Sequence, residues 1–182
     1  MKIYTRKGDD GTTGLLFGGR VRKDDPAPEA YGAVDEAQAA LGVARAETGE
    51  GSELDALLVR LERDLWVVMG ELATARDNRG KLDPGVSLVT GEMVAALEPV
   101  IDDLTSRFDA PTEFVVPGQN RLSALLDVAR TAVRNAERRA LSAAAEDSRV
   151  VPYLNRLSDL LWTMARWQEG QFMPAREKKK DR

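Results

Sequence analysis

The 182-residue chain contains no cysteine and no histidine. Without cysteine there is no disulfide framework, no thiolate nucleophile and no thiolate metal site. Without histidine the commonest general base and the commonest transition-metal ligand are missing, and with them every Ser-His or Cys-His arrangement. Catalysis by such a chain must work through positioned charge, a carboxylate, or a metal held by oxygen. Aromatic residues are scarce at 5%; with Ala and Leu abundant, the balance favours helix over sheet. No apolar run is long enough to span a bilayer, and Met1–Arg6 lacks the apolar core of a secretory signal, so a cytoplasmic protein without membrane contact is expected. The net charge of −4 offers no basic face for nucleic acid. The notable basic run, Lys178–Lys180, lies in a tail, residues 171–182, that is expected to be flexible.

What is present reads as one ordinary globular domain over residues 1–182, with 43% hydrophobic and 31% charged residues. Residues 1–25 hold five glycines among threonines and basic residues and no helical period, so they form an extended arm. Helical spacing then predicts five helices. The first runs from Pro26 to about Glu47. The second is capped by Ser52, with Leu54, Leu57, Leu58, Leu61, Leu65, Val68 and Leu72 on its apolar face. A polar loop, 77–85, precedes a third from about Thr90 to Phe108, with a possible kink at Pro99. An extended stretch, 111–119, leads to a fourth from near Asn120 to about Ala145, and a fifth runs from about Pro152 to near Gly170. The expected fold class is all-α, a five-helix bundle with an extended N-terminal arm.

Three places carry unusual chemistry. In the arm, Tyr4-Thr5-Arg6-Lys7-Gly8-Asp9-Asp10-Gly11-Thr12-Thr13 combines glycines, hydroxyl donors and positive charge, to which Lys23 adds. Such a loop suits a polyphosphate, although it is no Walker A loop; a plain flexible arm has the same composition. On the fourth helix Asp127, Arg130, Arg134, Glu137 and Arg138 share a face, and Arg130 to Glu137 spans roughly 10 Å, the scale of a polyphosphate. A solvated face laced with ion pairs has the same spacing. On the fifth helix Asn155 and Asp159 lie one turn apart, continued by Trp162 and Arg166. Asp35 sits among the small residues of the first helix, where it is either a surface carboxylate or the partner of an arginine from elsewhere.

Taken in order, Tyr4–Gly11, Arg20, Lys23, Glu29–Glu36, Phe114–Gly118, Ala129–Arg138 and Tyr153–Asp159 resemble the cobalamin adenosyltransferases of the type linked to propanediol utilisation, and the likeness extends to about Trp167. The resemblance implies a homotrimer with ATP and corrinoid held where subunits meet. It implies that Thr5, Arg6, Lys7, Gly8, Thr13 and Lys23 grip ATP, with Arg134, Glu137, Arg138 and Asn155 completing the pocket. It assigns Asp35 and Arg130 to an intersubunit salt bridge, Phe114 to the apolar wall beneath the corrin, and Asp159 to support of the site. These four are the candidate catalytic residues. Gln38, Gln119-Asn120, Asp127 and Asn135 depart from the family's usual residues, Asp127 standing where a His is common. The implied reaction moves the 5′-deoxyadenosyl group of ATP to the cobalt of cob(I)alamin, with Mg²⁺ held mainly by phosphate oxygens and water rather than by protein ligands. A reductase and an adenosylcobalamin-dependent enzyme are the implied partners. The rival readings are an ATP-gated adenosylcobalamin carrier and a helical bundle with no ligand.

Overall fold

The computed structural model describes residues 3–176. Helix α1 (Pro26–Arg45) begins with prolines at Pro26 and Pro28, where the first turn needs no N–H donor. Its buried face is almost all small: Ala30, Ala33, Ala37 and Ala44, with Val34 and Leu41. Helix α2 (Glu53–Leu72) starts at the expected cap, where the Ser52 side chain accepts from the Asp55 backbone N–H at 3.1 Å. The residues read as its apolar face are buried, except Leu57, which is half-buried at the edge of the core.

The third expected helix is two. Helix α3 (Gly91–Ala95) stops before Leu97, and α4 (Glu98–Thr105) restarts with Pro99 in its first turn. A proline cannot donate to the preceding turn, and here the ladder ends instead of bending. Residues of the expected loop form a short 3₁₀ turn, Arg76–Lys81.

Helix α5 (Arg121–Ala140) is closed at its start by a reciprocal cap between Asn120 and Ser123. It ends earlier than the spacing suggested, passing into turns after Ala140. Helix α6 (Val150–Glu169) takes Pro152 in its first turn. Helix α5 is central, packed against α1 on one side and α6 on the other, while α2 lies on α1 and α4 on α6. Ala129, Ala136 and Ala140 of α5 are fully buried, as is most of the alanine face of α1, against which α5 packs. Small facing side chains let two helix backbones approach closely.

Two non-helical features frame the bundle. The arm folds into a hairpin of β1 (Thr12–Gly14) and β2 (Arg20–Arg22), antiparallel with Thr13 opposite Val21. Its tip is fastened to the end of α2, where the Leu16 N–H donates to the Ala73 carbonyl at 2.9 Å. At the other end of the bundle, residues 114–116 form a strap: the Val116 N–H donates to Met173 O at 2.8 Å and the Ala175 N–H to Phe114 O at 2.7 Å. The free tail expected from residue 171 therefore does not begin there, because main-chain hydrogen bonds hold the chain at least to Ala175. Lys178–Lys180 lie outside the described residues. Among the described residues, no helix is long and apolar enough to cross a membrane.

Candidate functional site

In the arm two of the residues expected to grip phosphate, Gly8 and Lys23, are closely packed. A Cβ at Gly8 would meet Lys23 Cε and Nζ at 3.2 Å and the Thr12 carbonyl oxygen at 3.1 Å, so the Lys23 ammonium lies directly over the glycine. Beside it, Arg6 has a φ of 60°, a conformation non-glycine residues seldom adopt, and this turns the chain between Thr5 and Lys7. The Lys7 N–H approaches Thr5 Oγ1 at 3.4 Å. Arg20 fixes the loop from below: its Nη2 donates to the Lys7 carbonyl and to Thr12 Oγ1, each at 2.5 Å. Thr12 in turn donates from both its N–H and its hydroxyl to Asp10. Those hydrogen bonds, aided by Arg20, hold the Asp10 carboxyl below its ordinary pKa. Thr13 sits half-buried in β1. Arg20 and Asp10 had no assigned role from the sequence; only the hairpin register places them under the loop.

A second group lies where α5 and α6 run side by side. Asn155 Nδ2 donates to Glu137 Oε1 at 3.0 Å, so the two residues expected in the nucleotide pocket form one polar unit. Arg134 and Arg138 are exposed on the same stretch of α5, and Arg138 reaches Asn135 at 3.5 Å. Next to them Arg139 pairs with Glu29, tying the end of α5 to the start of α1. Among the described residues, no hydrogen bond or ion pair joins Arg134, Glu137, Arg138 or Asn155 to the arm's Thr5, Arg6, Lys7, Thr13 or Lys23.

The third group surrounds a cavity of about 780 Å³ between the strap, α5 and α6. Phe114 and Pro117 come from the strap, Asp127 and Arg130 from α5, Trp162 and Arg166 from α6. Phe114 is 90% exposed, an aromatic ring standing on a cavity wall instead of in a core. The inner wall is a chain of ions. Asp127 accepts from Arg130 Nε at 2.9 Å and from Arg166 Nη2 at 2.5 Å. Arg166 donates to Glu169 Oε1 at 3.1 Å; its Nε also lies 3.1 Å from Glu169 Oε2, but without the alignment of a hydrogen bond. The Trp162 ring lies 6.0 Å from the Arg166 guanidinium carbon, within cation–π range.

Two expected residues stand apart from this cavity. Asp35 is exposed on α1 and lines a separate groove of about 460 Å³ with Gln38, Arg45, Glu62, Arg63 and the largely exposed Trp66. Among the described residues, no hydrogen bond or ion pair joins it to Arg130. Asp159 is exposed and pairs with Arg156 at 3.0 Å, and Arg156 pairs also with Glu98 at 3.1 Å. That chain fastens α6 to α4.

Comparison with known proteins bears on this arrangement. Residues 3–168 match the family described as cobalamin adenosyltransferase. A corrinoid adenosyltransferase of Citrobacter freundii is 42% identical over 174 residues, covering 92% of this chain and 95% of that protein. One of Mycobacterium bovis is 41% identical over 170 residues, covering 91% and 87%. A PduO-type ATP:corrinoid adenosyltransferase from Lactobacillus reuteri, solved as a phenylalanine-to-alanine variant complexed with cobalamin and ATP, is similar in fold. Its TM-score is 0.85 at 29% identity, covering 97% of this chain and 100% of that chain.

Proposed function

The chain belongs to the cobalamin adenosyltransferase family, and from that premise we propose that it transfers the 5′-deoxyadenosyl group of ATP to the cobalt of cob(I)alamin. The observation that carries this reading is the cavity. Phe114 from the strap and Arg130 from α5, assigned by resemblance to the lower face of the corrin and to the intersubunit salt bridge respectively, line one hollow.

The chemistry suits a chain with no histidine. The electron pair of cobalt(I) attacks the ribose 5′ carbon, a cobalt–carbon bond forms, and the bond from that carbon to the phosphate oxygen breaks. Triphosphate leaves with the electron pair. No proton is transferred, so no general base is required. The protein's work is to hold the two reactants in line and to face positive charge toward the departing phosphates. Lys7 and Lys23 do this from the arm and Arg134 from α5; the Asn155–Glu137 pair and Arg138 complete the nucleotide pocket with Thr5, Arg6, Gly8 and Thr13. Among the described residues, no cluster of three acidic side chains is placed to cage a metal. Mg²⁺ is read as arriving on the nucleotide, bound by phosphate oxygens and water.

Phe114 presents an apolar face to the lower side of the corrin, where it keeps water and the cofactor's own base from cobalt. Cobalt without that ligand is easier to reduce. Asp35 is assigned to a neighbouring subunit's Arg130 in a homotrimer; its exposure beside the largely exposed Trp66 supports an interface on that groove. Asp159 acts at a distance, by fixing α6 through Arg156. A reductase supplies the electron and an adenosylcobalamin-dependent enzyme takes the product. Since ATP is a substrate, we place the reaction in the cytoplasm.

The test is an anaerobic assay with ATP and chemically reduced cobalamin. Adenosylcobalamin and triphosphate are expected to appear in equal amounts. Tight ATP binding without either product would instead favour a carrier.

A further inference from the structure

Asp127 is a buried carboxylate, 7% exposed, that receives two arginines at once. Its Oδ2 is taken by Arg166 at 2.5 Å. Arg166 has almost no freedom: it is 2% exposed, bonded to Glu169 and flanked by the Trp162 ring. One oxygen of Asp127 is thus fixed by the core. The other, Oδ1, accepts from Arg130 at 2.9 Å, and does so at Nε. Residues 127 and 130 stand one turn apart on α5, which puts their side chains on one face.

The choice of nitrogen matters. A carboxylate that binds an arginine through Nε restrains the side chain at the base of its guanidinium and leaves both terminal nitrogens for other contacts. Among the described residues, no hydrogen bond or ion pair uses those two nitrogens of Arg130. Arg130 is only partly covered, at 28% of its side chain, so without the clamp it would sample many rotamers on the cavity wall.

We propose that Asp127 is the positioning residue for Arg130: anchored on one oxygen by the buried Arg166, it holds the Arg130 guanidinium in a single orientation at the cavity. The role is distinct from that of Arg130 itself, which lines the cavity. Its kinetic consequence rests on the adenosyltransferase reading; the clamp does not.

The experiment has two arms. In the first, adenosylation is measured for Asp127→Asn, Arg130→Ala and the double variant. Asp127→Asn is expected to lower kcat/KM for corrinoid by about ten- to a hundredfold, the scale of a misplaced contact, and to leave KM for ATP within about twofold. The double variant is expected to be no slower than Arg130→Ala, because the clamp has nothing left to hold. Losses that multiply in the double variant, or an Asp127→Asn enzyme with unchanged kcat/KM, overturn the proposal.

The second arm needs neither turnover nor a folded Asp127 variant. In the unaltered protein the Nε–H resonance of Arg130, assigned by its loss in Arg130→Ala, is expected to exchange with solvent about tenfold or more slowly than that of the exposed Arg134. Equal exchange overturns the clamp. Slow exchange in a protein that forms no adenosylcobalamin would leave the positioning intact and reject the adenosyltransferase reading.

Discussion

Arg166 donates from Nη2 to Asp127 Oδ2 at 2.5 Å, and the two side chains are only 2% and 9% exposed. Taking two ions out of water is costly, and the cost is offset only while each has the other. Arg166→Met should therefore lower unfolding stability by about 3–5 kcal/mol, or roughly 6–20 °C in Tm for a chain of this size. Replacing both partners, Arg166→Met with Asp127→Leu, should cost less than the single change, since the buried Asp127 carboxylate is then not stranded, although Glu169 still loses its arginine. Urea denaturation of the two variants decides. A single variant within about 1 kcal/mol of the parent would mean that the pair is not a structural requirement.

Gly8 is needed for space. A methyl group there would press on the Thr12 carbonyl at 3.1 Å and on the end of Lys23 at 3.2 Å. The backbone oxygen cannot retreat easily, whereas the lysine can, so Gly8→Ala should swing the ammonium away from the loop. We expect ATP affinity to fall by roughly tenfold, the equivalent of one charge-assisted hydrogen bond, with little change in melting temperature. Lys23→Ala should lose affinity to a similar degree. Calorimetric titration with ATP checks both; a Gly8→Ala protein that binds ATP like the parent would remove Lys23 from the grip.

The helices were legible because their buried faces repeat at 3.6 residues, as with Leu54, Leu58, Leu61 and Leu65 in α2, and because Ser52 and Asn120 announce two helix starts. The hairpin was not, since its three-residue strands are too short to show alternation. Local pattern also could not separate a solvated charge from a buried one. Asp127 and Arg130 share a polar face of α5 by spacing and Arg166 lies on the polar side of α6, yet Asp127 and Arg166 are enclosed and Arg130 is not. That difference comes from the packing of α5 against α6, which the spacing within either helix does not reveal. Glu71 was missed for the same reason. It lies in α2, 3% exposed, and accepts from the Val89 N–H, the Ser148 hydroxyl and Arg79, all partners that only the tertiary fold supplies. That Phe114 and Arg130 line one cavity was not legible at all, because nothing in their separate neighbourhoods links an extended apolar run to a helical arginine.

Phe114, at 90% exposure, contributes nothing to the core, so Phe114→Ala should fold and melt like the parent. Its loss opens the lower face of the corrin to water or to the cofactor's base and makes cobalt(II) harder to reduce. Adenosylation is expected to slow by at least about tenfold while KM for ATP stays within about twofold. Steady-state kinetics with each substrate varied in turn distinguishes the two constants. Comparable losses in both would show that the ring serves the nucleotide and not the corrin.

Tyr153 donates from its hydroxyl to Asp64 Oδ2 at 2.9 Å, bridging α6 and α2. Burial raises the Asp64 carboxyl above its ordinary value of 3.8, against the opposing pull of that hydrogen bond and of Arg60. A carboxyl with a raised folded-state pKa favours folding while protonated, and the benefit fades as pH climbs from the unfolded value through the folded one. Asp64→Asn keeps an oxygen for the Tyr153 hydroxyl and carries no charge at any pH. The variant should match the parent below about pH 4, become the more stable of the two as pH rises, and hold a constant lead once both states of the parent are ionised. Tyr153→Phe should do the opposite at neutral pH, costing about 1–3 kcal/mol by leaving the carboxylate without its donor. Melting curves from pH 3 to 8 are the check, and a gap between parent and Asp64→Asn that does not vary with pH would mean that Asp64 is as well solvated in the fold as in the open chain.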